Sequence, residues 1–201
     1  MTAPLHGLVL AGGLSRRMGR DKALLQFHEL PQAVWTARLL AAFCVDVACS
    51  CRPDQDIGAG PRRVPPGGPR RIHDLLPDQG PMAGLAAAHA DRPQAAWLVV
   101  ACDLPRLTAD TLRRLVAARA QDCIATAYRS AHDGLPEPLC TVYEPAAFPI
   151  VAAAMAAGLR CPRRLLIGEA ARVRLLDLAD PGALDNANTP EDLAAIVGSR
   201  P

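Results

Sequence analysis

The stretch His6-Gly7-Leu8-Val9-Leu10-Ala11-Gly12-Gly13-Leu14-Ser15-Arg16-Arg17-Met18-Gly19-Arg20-Asp21-Lys22 decides how this chain is read. It begins as a short apolar run, the pattern of a buried strand, and empties into a glycine-rich loop closed by a lysine. Gly12, Gly13 and Gly19 permit turns and close approach of a ligand, so peptide N–H groups are expected to face phosphate oxygens. Among 22 basic residues Lys22 is the only lysine. A chain otherwise committed to arginine that keeps one ammonium in such a loop points to a compact point charge at work there; chance survival in an exposed loop is the plain alternative. The loop is not a Walker motif, because Ala23 follows the lysine. Nor is it a dinucleotide fingerprint, since the glycine spacing differs and no helix starts directly after it.

Beyond the loop the pattern alternates. Helical spacing covers 31–43 and a strand is expected at 45–50. The proline-, glycine- and arginine-rich stretch 52–71 reads as loop, with at most a short edge strand around Arg63 and Val64. An alanine-rich helix is expected at 82–90 after Gly80-Pro81, and the clearest buried strand at 96–102. Thr108 caps a helix running to about Ala120. Strands are expected at 123–128 and 139–143, then a helix at 146–157 and a short strand at 173–176. Thr189-Pro190-Glu191-Asp192 opens a last helix with a cap, an N1 proline and acidic residues that suit the helix dipole. Strands alternating with helices imply an α/β fold: a single-domain, Rossmann-like, mostly parallel sheet with helices on both faces, spanning 1–201. Ligands of such sheets sit beyond the carboxyl ends of the strands.

Composition narrows the function. Half the residues are hydrophobic and the net charge is +2, enough for one filled core and too little positive charge for a nucleic-acid binder. The apolar start is too short to span a membrane and has no signal-peptide pattern. Seven cysteines, an odd number without framework or metal-ligand spacing, fit buried thiols in a reducing compartment, so the chain is expected to be cytoplasmic.

Four segments carry the chemistry: the loop ending at Lys22, Gly80-Pro81-Met82-Ala83-Gly84, Cys102-Asp103-Leu104-Pro105, and Asn186-Ala187-Asn188-Thr189-Pro190. Taken together, and in this order over nearly the whole chain, they resemble the molybdenum cofactor guanylyltransferases, a branch of the Rossmann-like nucleotidyltransferases. The resemblance implies transfer of GMP from GTP to the terminal phosphate of molybdopterin, with release of pyrophosphate and with Mg2+ as cofactor. It implies GTP and molybdopterin as partners, and leaves cofactor-transfer or acceptor molybdoenzyme proteins open as protein partners. Leu10, Ala11, Gly12, Lys22, Asp74 and Asp103 fall on nucleotide-binding positions of the family, with Gly13 beside them, and Asp103 falls also on its metal position.

Phosphate attacking phosphate is opposed by charge, so the site must neutralise the triphosphate and hold donor and acceptor in line. Asp103, at the end of the best strand, suits a magnesium ligand. Asn186 and Asn188, two apart, either offer carbonyl oxygens to the same ion, Asn188 first, or form an Asx turn before the helix. Lys22 and Arg17 suit stabilisation of the leaving pyrophosphate. Asp74 either accepts hydrogen bonds from ribose or base or is a solvated loop residue. Arg160, Arg163 and Arg164 either meet the acceptor phosphate or are helix-end charges; Arg163, Pro138 in the 133–139 segment, and Asn186 are the expected acceptor contacts. Cys49 stands where the family has an asparagine after its second strand. A cytidylyltransferase or another nucleotidyltransferase of the same fold, and a non-catalytic nucleotide-binding module, are the alternatives.

Overall fold

The computed structural model describes residues 2–12, 22–25, 30–53, 55, 69–74, 76, 79–187 and 192, with Lys22 described by its main chain. Seven strands form one sheet: β1 Leu5–Leu10, β2 Val47–Cys51, β3 Arg70–His73, β4 Ala96–Ala101, β5 Ala125–Arg129, β6 Pro136–Tyr143 and β7 Val173–Leu176. Their order is β3-β2-β1-β4-β6-β5-β7. All run parallel except β6, which is antiparallel to both neighbours. Every residue of β1 and β4 is buried, as expected for interior strands covered on both faces.

Alternation along β1 divides the core in two. Leu5 and Val9 join the cluster built with Ala37 and Leu40 of α1 (Gln32–Ala41) and Leu112 and Leu115 of α3 (Ala109–Ala117). Leu8 and Leu10 point the other way, into the cluster of Met82 and Leu85 of α2 (Pro81–Asp91), Phe148 of α4 (Phe148–Ala156) and Leu166 of α5 (Pro162–Gly168). Thr108 caps α3 as its sequence implies: its hydroxyl accepts from the Thr111 N–H at 3.2 Å, worth about 1 kcal/mol.

Two elements differ from the sequence reading. The edge strand lies at Arg70–His73, at the end of the stretch read as loop; it is only four residues long, with one buried side chain, Ile72, between charged neighbours, so it carries almost no apolar signal. Arg63 and Val64, the expected edge strand, lie outside the described residues. Helix α5 is absent from the sequence reading, because seven residues are too few to display a period. Of the expected last helix only Asp192 is described. No helix among the described residues is long and apolar enough to cross a membrane, and all seven cysteines are free thiols.

Candidate active site

The chain order reverses direction between β1 and β4, which sit side by side with Leu10 opposite Ala101. That is the switch point where the connections leave on opposite sides and open a crevice beyond the strand ends. Strand register aligns the residues at the carboxyl ends. Leu10 pairs with Ser50 of β2, and the Cys102 N–H donates to the Leu10 carbonyl at 3.2 Å. Gly12, Asp103 and, two strands out from β1, Asp74 therefore all emerge at this edge.

At the β1–β3 end, the Ser50 hydroxyl donates to Oδ1 of Asp74, while Oδ2 lies 2.5 Å from where a Cβ on Gly12 would be. A carboxylate held by Ser50 occupies the space of a side chain at residue 12, so any larger residue there would have to displace Asp74. Gly84 in the first turn of α2 is crowded from two residues: a Cβ there would run into Leu10 Cδ2 and would sit 2.7 Å from Ser50 Oγ. Ser50 is thus fully buried among polar and backbone groups. Burial pushes the Asp74 carboxyl above the usual carboxylate range, and the Ser50 hydroxyl pulls it part of the way back. Gln55, also buried, donates to the Ala11 carbonyl at 2.7 Å and fixes the exit of β1. Ser50 and Gln55 carry no motif in the sequence; only the two-residue alternation of β2 marks Ser50 as facing α2 rather than α1.

Of the loop expected to face phosphate the structure describes only the entry, with Gly13 and Gly19 outside the described residues. The N–H groups of Ala11 and Gly12 both donate to the Ser50 carbonyl, at 3.0 Å each, so they hold β1 to β2 and are not turned toward a ligand. Cys49 is a buried thiol, as its sequence setting implies: it is fully buried in the α1-side core, where burial pushes its thiol well up, and Ser50 is the β2 residue that faces Asp74.

In the middle, Asp103 comes two residues after the end of β4, and its carbonyl accepts the Ala187 N–H at 3.0 Å. This bond brings Ala187, and with it the neighbouring Asn186, beside Asp103 over 84 residues of chain. Cys102 is buried in the α1-side core, so the donors presented here are oxygens. Lys22 opens a short 3-10 turn, Lys22–Leu24, whose Ala23 is fully buried in the same core as Ala11 and Leu104. Gly13, Arg17, Asn188 and the Lys22 side chain lie outside the described residues.

On the far side of Asp103, the reversed direction of β6 delivers its first residues to this edge. Pro138, Arg163 and Asn186 line one cavity of about 350 Å³, which also reaches Leu104 and Pro81. Three residues expected to meet an acceptor thus share one opening. Arg163 bonds Asp133 at 2.7 Å and Glu137 at 2.9 Å; Arg164 is exposed and does not line this cavity.

Residues 7–173 match the family of MobA-like NTP transferase domains. A probable molybdenum cofactor guanylyltransferase of Synechococcus elongatus is 38% identical over 200 residues, covering 94% of this chain and 96% of that one. The chain belongs to the molybdenum cofactor guanylyltransferases, within the MobA-like NTP transferases. A bifunctional molybdenum cofactor biosynthesis protein of Synechocystis is 37% identical over 96% of this chain, and this chain spans about half, 54%, of that protein's length. Among solved structures, molybdopterin-guanine dinucleotide biosynthesis protein A of Archaeoglobus fulgidus superposes with a TM-score of 0.72 at 24% identity, covering 96% of this chain and 97% of that one, and so shares the fold. This MobA-like chain is a nucleotidyltransferase whose sheet edge carries a half-buried carboxylate after β3, a second one after β4, and a cavity at β6.

Proposed function

We propose that this protein transfers GMP from GTP to the terminal phosphate of molybdopterin, as a single domain acting in the cytoplasm. The observation that carries the reading is the order of groups along the strand ends: Asp74 with Ser50 at one side, Asp103 beside the switch point, and the 350 Å³ cavity beyond it. A donor nucleotide, a reacting phosphate and an acceptor need those three stations in that order.

In the reaction an oxygen of the acceptor phosphate attacks the α-phosphorus of GTP. A new P–O–P link forms, the bond from the α-phosphorus to the bridging oxygen breaks, and its electron pair leaves with pyrophosphate. The acceptor phosphate is already ionised near neutral pH, so no protein base is required. Asp74 accepts hydrogen bonds from the nucleoside, Gly12 lets the ligand lie close to the β1 exit, and Lys22 and Arg17 meet charge growing on pyrophosphate. Leu10 and Ala11 set the floor on which the nucleoside rests.

The residues fit Mg2+. The strand end offers hard oxygens from the Asp103 carboxylate, and Asn188 follows Ala187 in sequence. One carboxylate together with substrate phosphates is how Mg2+ is commonly held. Bound there, Mg2+ would neutralise the triphosphate and polarise its phosphoryl oxygens.

Pyrophosphate release from GTP and from CTP, each with molybdopterin and Mg2+, tests the reading. GTP is expected to be strongly preferred. Equal or better use of CTP would replace it with cytidylyl transfer, and GTP binding without pyrophosphate release would make the protein a nucleotide-binding module.

A further inference from the structure

The cavity at β6 has walls of Leu104, Pro138, Leu139, Pro162 and Leu184, and one carboxylate, Glu137. An apolar slot with a single anionic group is the arrangement that takes a flat heterocycle and reads one polar edge of it. Glu137 is held at two points. Its own carbonyl accepts the Thr141 hydroxyl at 2.6 Å. Its Oε1 accepts from Nη2 of Arg163 at 2.9 Å, and Arg163 is fixed in turn by Asp133 at 2.7 Å. A carboxylate has about four lone-pair sites, so one arginine bond leaves acceptor capacity on both oxygens.

We infer that Glu137 is a specificity residue that reads the 2-amino, N3–H edge of a pterin ring, with Arg163 as the positioning residue that orients its carboxylate. The inference rests on the acceptor reading above and goes beyond it by naming the group that recognises the ring. A 2-amino-4-oxo pteridine presents two parallel N–H donors on that edge. A carboxylate is acceptor-only and matches both at once, in a charge-assisted pair. Arg160, at the same cavity, suits the phosphate end of the ligand. The other polar groups of the lining are Asn186 and the two arginines; Glu137 is its only carboxylate, the one group there that accepts from two N–H donors at once without offering any.

The structural alternative is that Glu137 only staples α5 to β6 through Arg163. The two roles separate in ring preference. Pterin and lumazine, the analogue with a 2-oxo group in place of the 2-amino group, are titrated by fluorescence against the full-length protein. Wild type is expected to bind pterin about tenfold to a hundredfold more tightly than lumazine, the factor for losing one charge-assisted hydrogen bond and facing an oxygen with an oxygen. Glu137→Gln replaces one acceptor with a donor and is expected to abolish or reverse that preference, with GTP affinity unchanged. Glu137→Asp keeps the carboxylate and should retain the preference at weaker affinity. If Glu137→Gln, folded by circular dichroism, still prefers pterin by the wild-type factor, the inference is overturned. It is overturned equally if wild type shows no preference. Failure of the guanylyl reading looks different: pterin binding and its dependence on residue 137 persist, while GTP yields no pyrophosphate with molybdopterin.

Discussion

In the proposed site, one half-buried contact at Asp74 would set both affinity and its pH range. Its carboxyl sits above the usual carboxylate range because burial disfavours the charge, and the Ser50 hydroxyl opposes that by donating to the ionised form. If the ionised form binds the nucleoside, GTP affinity falls as pH drops through this raised value, at a higher pH than an ordinary aspartate would give. Ser50→Ala removes the opposing hydrogen bond, so the acid limb should move to still higher pH; a GTP titration across pH reads it, and a limb that stays put would detach Ser50 from the site. The sign reverses for stability: a carboxyl raised in the folded state contributes stability below its unfolded value, lost as pH rises through the folded one. Asp74→Asn is therefore expected to raise Tm at neutral pH while GTP binding is lost, a trade of stability against function. Asp74 and Gly12 were legible as motif positions, but the reason for the glycine was not. The sequence suggests N–H groups turned to phosphate, whereas the space itself is taken by Asp74 Oδ2. A one-residue difference in β2, Cys49 against Ser50, likewise sends the side chain to the opposite face.

Strand direction is what the pattern of residues could not supply. The apolar run at 139–143 announces a strand, yet nothing in its periodicity says that β6 runs against its neighbours, and that reversal is what brings Pro136–Pro138 to the functional edge. The 145–147 turn after β6 is anchored by Glu144, which is 3% exposed and bonds Arg119, 10% exposed, at 2.5 and 2.8 Å; Arg119 also donates to the Ala3 carbonyl at 3.0 Å. The pair ties the end of the α3 segment to β6 and to the lead-in of β1. Arg119→Ala leaves Glu144 buried and uncompensated, which costs about 3–5 kcal/mol and should lower Tm by roughly 10 °C. Exchanging both partners for apolar residues, Arg119→Met with Glu144→Leu, should recover most of the loss; thermal unfolding of the single and double variants checks this. A double variant as unstable as the single would mean that the Ala3 bond, rather than the ion pair, holds these elements.

Across the whole molecule the two cores have no catalytic task; they fix the height of the strand ends, so that groups far apart in sequence meet at one edge. Mostly parallel strands, their helices and the position of the site beyond the carboxyl ends were legible in the alternation of apolar runs. The cavity was legible only as scattered residues, Pro138, Arg163 and Asn186, because it forms between β6, α5 and the chain after β7. The division of labour along the edge makes Lys22 and Asp103 separable. Lys22→Ala should reduce kcat by about 10²–10³ and GTP affinity far less, as for loss of one group acting on transition-state charge; a loss confined to affinity would assign the ammonium to ground-state binding instead. Asp103→Asn should act through the metal, because the amide keeps the size and the oxygen but loses the charge that holds a hard cation. The Mg2+ concentration for half-maximal pyrophosphate release is expected to rise about tenfold or more, with activity partly restored at high Mg2+. Since the Ala187 N–H bonds the main-chain carbonyl of Asp103 and not its carboxylate, the substitution leaves that bond intact and Asn186 in its place in the cavity. Pterin binding should therefore be unaltered, and a joint loss of metal response and pterin affinity would mean that the Asp103 side chain also holds the acceptor wall.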